Sequence, residues 1–309
     1  MPRPSRGDQI RAVAKAASGV PRNLPKPNPF RDRSLRTAVE GKTMLITGAS
    51  SGIGEATAVR VGVNGARVLL VSRTREKLEA VQAKIEEVGG EAHVHPCDLT
   101  DTDAIGAMAE DVLAEHGGVD ILMNNAGMSI RRSVANSYER LHDFERTIQL
   151  NYLGAVALIL KVLPGMRERH SGHIVNISSM GVQINTPRFS AYVASKNALD
   201  GFSRSIASEI IDDGVDITTV YMPLVRTPMI EPTAHYRSMP SISPEEASTM
   251  VAKALVNKPK KQTTTGGRIA EMTYSAAPKV QDALINGAMK LFPGTGDEKR
   301  ADPDERDGG

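Results

Sequence analysis

Thr47-Gly48-Ala49-Ser50-Ser51-Gly52-Ile53-Gly54 follows the apolar run Met44-Leu45-Ile46 and precedes a helix-like segment from Glu55 to Asn64. Glycines at a strand-to-helix turn let the backbone approach a pyrophosphate closely, and the unpaired N–H groups of the helix end attract it. Gly48, Ser50, Ser51, Gly52, Ile53 and Gly54 are therefore expected to contact a dinucleotide.

Outward from this turn, strand and helix signals alternate. Gly65-Ala66 introduces a second strand, Arg67 to Val71, and a helix with a charged outer face runs from Glu76 to Val88 until Gly89-Gly90. Further strands are expected at 92–96, 120–123, 173–177 and 216–220, with helices at 138–170 and 190–211. Such alternation implies an α/β fold, a Rossmann-type doubly wound parallel sheet with helices on both faces. Ligands of that fold sit beyond the carboxyl ends of the strands.

The end of the second strand speaks to the cofactor. An NAD enzyme places a carboxylate there for the ribose hydroxyls, whereas this chain reads Ser72-Arg73-Thr74 with no acid before Glu76. Arg73 offers a planar charged fork to a 2′-phosphate and Thr74 a hydroxyl, so NADP(H) is expected. Farther on, Asn125-Ala126-Gly127 follows a strand, and its small residues let the chain pass close to the same cofactor.

Chemistry enters with Tyr192 and Lys196, four apart and so on one helix face. A phenol has a pKa near 10 in water, and a neighbouring ammonium is expected to lower it. Ser179, at the end of an apolar strand-like run, can hydrogen-bond a substrate oxygen beside the phenol. Alone, Tyr-x-x-x-Lys is more often a surface pair. Met128-Ser129-Ile130-Arg131-Arg132 lies near the mouth of the same site. Its two arginines either hold phosphates of a large anionic substrate such as a coenzyme A thioester or are simply solvated.

Together, in order and from about Gly41 to Pro259, these pieces resemble the short-chain dehydrogenase/reductase family. The resemblance implies an Asn151–Ser179–Tyr192–Lys196 active site, with Asn151 holding a proton-relay water and Lys196 gripping the ribose. It gives Asp98 and Leu99 to the adenine pocket, although Asp98 could instead cap the following helix. Val225 and Thr227 match residues that contact the carboxamide and a nearby phosphate, yet Met222-Pro223 replaces the family's Pro-Gly there. Ser129 to Arg132, His142 to Thr147, Gln149 to Tyr152 and Met222 to Met229 narrow the likeness to bacterial fatty acyl-CoA reductases. The implied activity is NADPH-dependent reduction of long-chain fatty acyl-CoA to fatty aldehyde, with Tyr192 as proton donor, by a homo-oligomer. Two other readings stand beside it: an NADP-dependent ketone or alcohol oxidoreductase of 3-oxoacyl or steroid type, and a non-catalytic NADP-binding sensor.

Composition bounds the rest. A chain of 309 residues fits one large domain with tails, and 40% hydrophobic content suffices for a core. A formal charge of +2 gives no reason to expect nucleic acid. The single cysteine, Cys97, excludes an internal disulfide and fits a reducing compartment. No metal ligand set is expected. With no apolar run of about 18 residues and no secretory signal core, the expected location is the cytoplasm. Residues 1–40 are Pro-rich and basic, which suggests a mobile extension, either solvated or touching an anionic membrane surface. The domain is expected over 41–293, with a Pro- and Ser-rich substrate lid at about 226–242 and a disordered tail over 294–309. Ser243-Pro244-Glu245-Glu246 reads as a capping-box helix start.

Overall fold

The computed structural model describes residues 29–230 and 239–291, with side chains over 34–230 and 239–287. Seven parallel strands form one sheet: β1 Thr43–Thr47, β2 Arg67–Ser72, β3 Glu91–Pro96, β4 Ile121–Asn124, β5 Gly172–Ser179, β6 Val215–Met222 and β7 Lys261–Gln262. Their order is β3-β2-β1-β4-β5-β6-β7. The direction of winding reverses between β1 and β4, which opens a crevice at their carboxyl ends where doubly wound sheets bind ligands.

Period-2 patterning explains why both faces are covered. Met44 and Ile46 of β1, with Val68 and Leu70 of β2, face one core. Leu45, Leu69 and Val71 face the other. The first core is closed by helices α1 Pro29–Val39, α2 Gly52–Val63, α3 Arg75–Glu87 and α8 Pro244–Asn257. The second is closed by α4 Thr102–His116, α5 Leu141–Glu168 and α7 Ser190–Ala207. A short α6, Met180–Gln183, follows β5, and α9 Thr265–Ala276 and α10 Pro278–Leu291 complete the chain.

Helix α1 corrects the expected domain boundary at residue 41. Leu35 and Val39, one turn apart, are 2% and 0% exposed within the first core. Each contributes about 1.5–3 kcal/mol by burial, enough to dock the segment despite its basic composition. The remainder of the expected extension, residues 1–28, lies outside the described residues, as do the expected C-terminal tail and residues 231–238 of the expected lid. What is described of the lid is its base. Val225 bridges Ile242, Arg226 N–H donates to Ile242 C=O at 2.9 Å, and Ile242 N–H donates to Leu224 C=O at 2.9 Å. Ser243 caps α8 through the expected box, with Glu246 N–H donating to Ser243 Oγ at 3.2 Å and Ser243 N–H to Glu246 Oε2 at 2.8 Å.

Helix α5 is long and apolar enough, by length and composition, to cross a membrane, which corrects the expectation that no segment is. Its Leu158, Ile159, Val162 and Met166 pack into the second core. A helix covering a sheet needs such a face as much as a membrane span does. Residues Gln149–Leu153 form a π-helical turn within it, a local widening of the kind often found at functional sites.

Candidate active site

Glycine conformation builds the first part of the site. Gly48 has φ +64°, and a β-carbon on it would lie 2.9 Å from both Ala126 Cα and Asn125 Nδ2. On Gly54, a β-carbon would meet Gly48 O at 2.2 Å. The turn is thus folded too tightly for side chains, leaving its outer surface as bare backbone. Ser51, the N-cap of α2, makes no side-chain cap hydrogen bond, so the helix end keeps its N–H groups for another acceptor. This cradle fits a dinucleotide pyrophosphate.

Asn125 serves the cradle from behind. Its Nδ2 donates to Thr47 O at 3.0 Å and to Gly48 O at 3.2 Å, and its N–H donates to Thr47 Oγ1 at 2.9 Å. Ala126 N–H donates to the same hydroxyl at 3.0 Å. Asn125 therefore positions the glycine turn rather than reaching outward. Thr47, not singled out as a site residue in the sequence, ties β1 to β4; its place at the end of β1 was the signal that could have found it. From the far end of the chain, Thr227 closes on the same turn, because a β-carbon on Gly52 (φ +59°) would stand 2.8 Å from Thr227 Cγ2. Val225 is buried in the first core beneath it. Ile53 also packs against that core, partly buried.

At the next crevice wall, Arg73 and Thr74 are both exposed beyond β2. Asp98 lies within electrostatic reach of Arg73. Burial works to raise the Asp98 carboxyl, but hydrogen bonds from Thr100 and the Arg73 charge outweigh it and hold the group below its ordinary value. Asp98 Oδ1 accepts from Thr100 N at 2.9 Å and Thr100 Oγ1 at 2.8 Å. It does not cap α4. That role belongs to Asp101, whose carboxylate accepts from Asp103 N and Ala104 N. Leu99 turns its side chain into the second core, at 6% exposure, and so presents mainly backbone to the crevice. Cys97, beside it, is buried, and burial pushes its thiol up to about 11.

Asn151, Ser179, Tyr192 and Lys196 converge. The π-turn carries Asn151 inward, 1% exposed. Its Oδ1 accepts from Met128 N–H at 2.8 Å, and its Nδ2 donates to Met128 O and to Ser195 Oγ, each at 2.9 Å. Lys196 Nζ donates to Ile177 O at 2.9 Å. A β-carbon on Gly127 would sit 3.0 Å from Asn151 Oδ1 and 3.4 Å from Lys196 Nζ, so the missing side chain leaves room for both. Ser179, the N-cap of α6, sits beside the Tyr192 phenol. Ser195, between Tyr192 and Lys196, was the missed member of this group.

The electrostatics differ from expectation in one respect. Lys196 does not bring the phenol down. Burial pushes Tyr192 up to about 12, against a lowering pull from Ser179. The same burial pushes the Lys196 ammonium down to about 8. The ammonium spends itself on Ile177 O rather than on the phenol. At neutral pH the tyrosine accordingly holds its proton, the form a proton donor needs.

Arg132 departs from the expected phosphate role. Its Nε donates to Asp143 Oδ2 at 2.8 Å, and Asp143 also pairs with Arg140 and Arg146. Although burial would raise it, Arg140 and Arg132 hold the Asp143 carboxyl below its ordinary value. Arg132 thus fastens the loop after β4 onto α5, while Arg131 stays half-exposed.

A family model described as short chain dehydrogenase matches residues 42–237. The chain belongs to the short chain dehydrogenase family. It is similar to a fatty acyl-CoA reductase of Acinetobacter baylyi, 53% identical over 259 residues, covering 84% of this chain and 88% of that one. A fatty acyl-CoA reductase of Mycobacterium tuberculosis is 48% identical over 220 residues, 71% of this chain and 75% of its own. Among solved structures, a metagenomic short-chain oxidoreductase in complex with NADP matches with a TM-score of 0.63. It is 34% identical, with 73% of this chain and 96% of that one covered. This short chain dehydrogenase is therefore an oxidoreductase, of a family that binds NAD or NADP, and the expected Rossmann-type sheet is the observed one.

Proposed function

We propose that the enzyme reduces a long-chain fatty acyl-CoA to the fatty aldehyde, using NADPH. Ser179 and Tyr192, set side by side in the crevice, carry the reductive part of this reading. The two acyl-CoA reductases among its relatives carry the substrate. Held by the glycine turn and Lys196, a reduced nicotinamide would supply hydride for the thioester carbonyl carbon. The chain's own residues do the rest. Ser179 and Tyr192 hold the carbonyl oxygen where negative charge develops, the arrangement worth most in a site shielded from water. Tyr192 gives that oxygen its proton. Lys196 and Asn151 stand behind it, fixed by Ile177 O and by Met128, to return a proton from solvent. When the carbon–sulfur bond breaks, the hydroxyl formed in that step gives its proton up to the departing sulfur, so coenzyme A leaves as the thiol and the aldehyde remains.

Arg73 supports NADPH over NADH, since the loop after β2 presents a guanidinium and a hydroxyl where NAD enzymes present a carboxylate. The expectations of a homo-oligomer, of a cytoplasmic location and of membrane contact through the N-terminal segment stay part of this proposal.

Mixing the protein with NADPH and acyl-CoAs of graded chain length tests the reading. One coenzyme A thiol, detected with a thiol reagent, should appear for each aldehyde formed. NADPH oxidation with a 3-oxoacyl substrate and no thiol release would point to ketone reduction instead.

A further inference from the structure

Three of the chain's seven histidines meet away from the catalytic crevice. His93 and His95 are two apart on β3, which puts both side chains on the same face of the strand. His116 ends α4, the helix packed against that face, and Glu115 precedes it. Ligand atoms of His93, Glu115 and His116 all lie within 4.8 Å of one another. Next to that group, His95 has its Nε2 3.3 Å from His116 Nε2. A surface cavity of about 720 Å³ is lined by His93, His95, Asp111 and Glu115.

We infer that His93, His95, Glu115 and His116 form a binding site for a divalent transition metal of the zinc type. Zinc takes imidazole nitrogens at about 2.0–2.1 Å in a tetrahedral arrangement, so two such ligands stand about 3.4 Å apart. The His95–His116 separation of 3.3 Å already has that length, and Glu115 Oε2 lies 3.7 Å from His116 Nε2. Three imidazoles with one carboxylate form a borderline donor set that suits zinc, cobalt or nickel better than magnesium or calcium. Support from outside the ligand set is also present: His93 Nε2 is 3.1 Å from Glu91 Oε1, which Arg67 in turn holds at 2.6 Å. A proton on that nitrogen leaves Nδ1 with its lone pair for the metal, the carboxylate–histidine–metal pattern that orients such rings. His116, at 4% side-chain exposure, has little freedom to turn elsewhere.

An ion held from both the strand and the helix, far from the reacting groups, is structural. It ties β3, which among the described residues is an edge strand paired with β2, to the end of α4. The connection between those two elements carries Asp98 and Leu99, so the tie steadies one wall of the dinucleotide crevice.

Titration of the full-length, tag-free protein with Co²⁺ and Zn²⁺ after chelator treatment tests this. Visible cobalt bands saturating at one ion per chain are expected, with a melting temperature raised by about 5 °C at a hundredfold excess over Kd. His116→Gln should abolish both. His93→Gln and Glu115→Gln, at more exposed positions, should weaken binding at least about tenfold and decide the matter even if His116→Gln fails to fold. Binding unchanged in those two variants, or no saturable binding below about millimolar metal, would mean that His95 and His116 merely share a hydrogen bond.

Discussion

Asn151 holds Met128 by both ends of its backbone, accepting from the N–H at 2.8 Å and donating to the C=O at 2.9 Å. The strand-end loop that follows Gly127 is thereby welded to the π-turn of α5, with Lys196 in the same small volume. Asn151→Ala removes the partners of two backbone groups at once, at a cost of about 1–3 kcal/mol for each group left unsatisfied. A lower melting temperature and a kcat reduced at least about tenfold are expected, the latter equal to about 1.4 kcal/mol at the barrier. Unchanged kcat in a folded variant would remove Asn151 from the catalytic group.

Gly54→Ala sets a methyl 2.2 Å from Gly48 O. Because that oxygen is backbone, the turn must open. Dinucleotide affinity, read by quenching of intrinsic tyrosine fluorescence, should fall by about tenfold or more, the loss of one charge-assisted hydrogen bond. A variant that binds as tightly as the parent would show that the cradle is not where the pyrophosphate sits.

Arg73→Asp exchanges a guanidinium for the carboxylate that reads ribose hydroxyls. We expect kcat/KM with NADPH to fall about tenfold to a hundredfold, as for a hydrogen bond to a charged group, while NADH loses far less. Equal losses would mean that Arg73 does not face the 2′-phosphate.

The pH profile follows from Lys196. With its pKa pushed down to about 8, the ammonium is charged below that value and neutral above it. Tyr192, at about 12, keeps its proton throughout. Since kcat/KM reports the free enzyme, the reduction rate constant should be level between about pH 6 and 7 and fall about tenfold per unit above 8. A level profile to pH 10 would show that the charge on Lys196 is not needed.

Much of this arrangement is legible locally. A glycine turn between an apolar strand and a helix, alternating core residues in β1 and β2, and the capping box at Ser243 all declare themselves within a few residues. What escaped depends on partners distant in sequence or on local signals masked by composition. Leu35 and Val39 are scattered apolar positions in a basic stretch, and their value comes from α8 and α2 packed against them. Arg132 looked free until Asp143 came round on α5. Asp98 and Asp101 compete as caps three residues apart, and only the position of the first helical turn separates them. Nothing in Gln149–Leu153 announces a π-turn, from which Asn151 bonds Met128. The phenol's pKa was misjudged because spacing on a helix puts Lys196 near Tyr192 without revealing Ile177 O as the better acceptor.

Tyr192→Phe is the most direct measurement. The ring is kept and only the hydroxyl is lost, so NADPH binding should stay within about twofold while aldehyde formation from acyl-CoA drops by about a hundredfold or more. Aldehyde formed at the parent rate by a variant that still binds NADPH would contradict the role of Tyr192 as the proton donor.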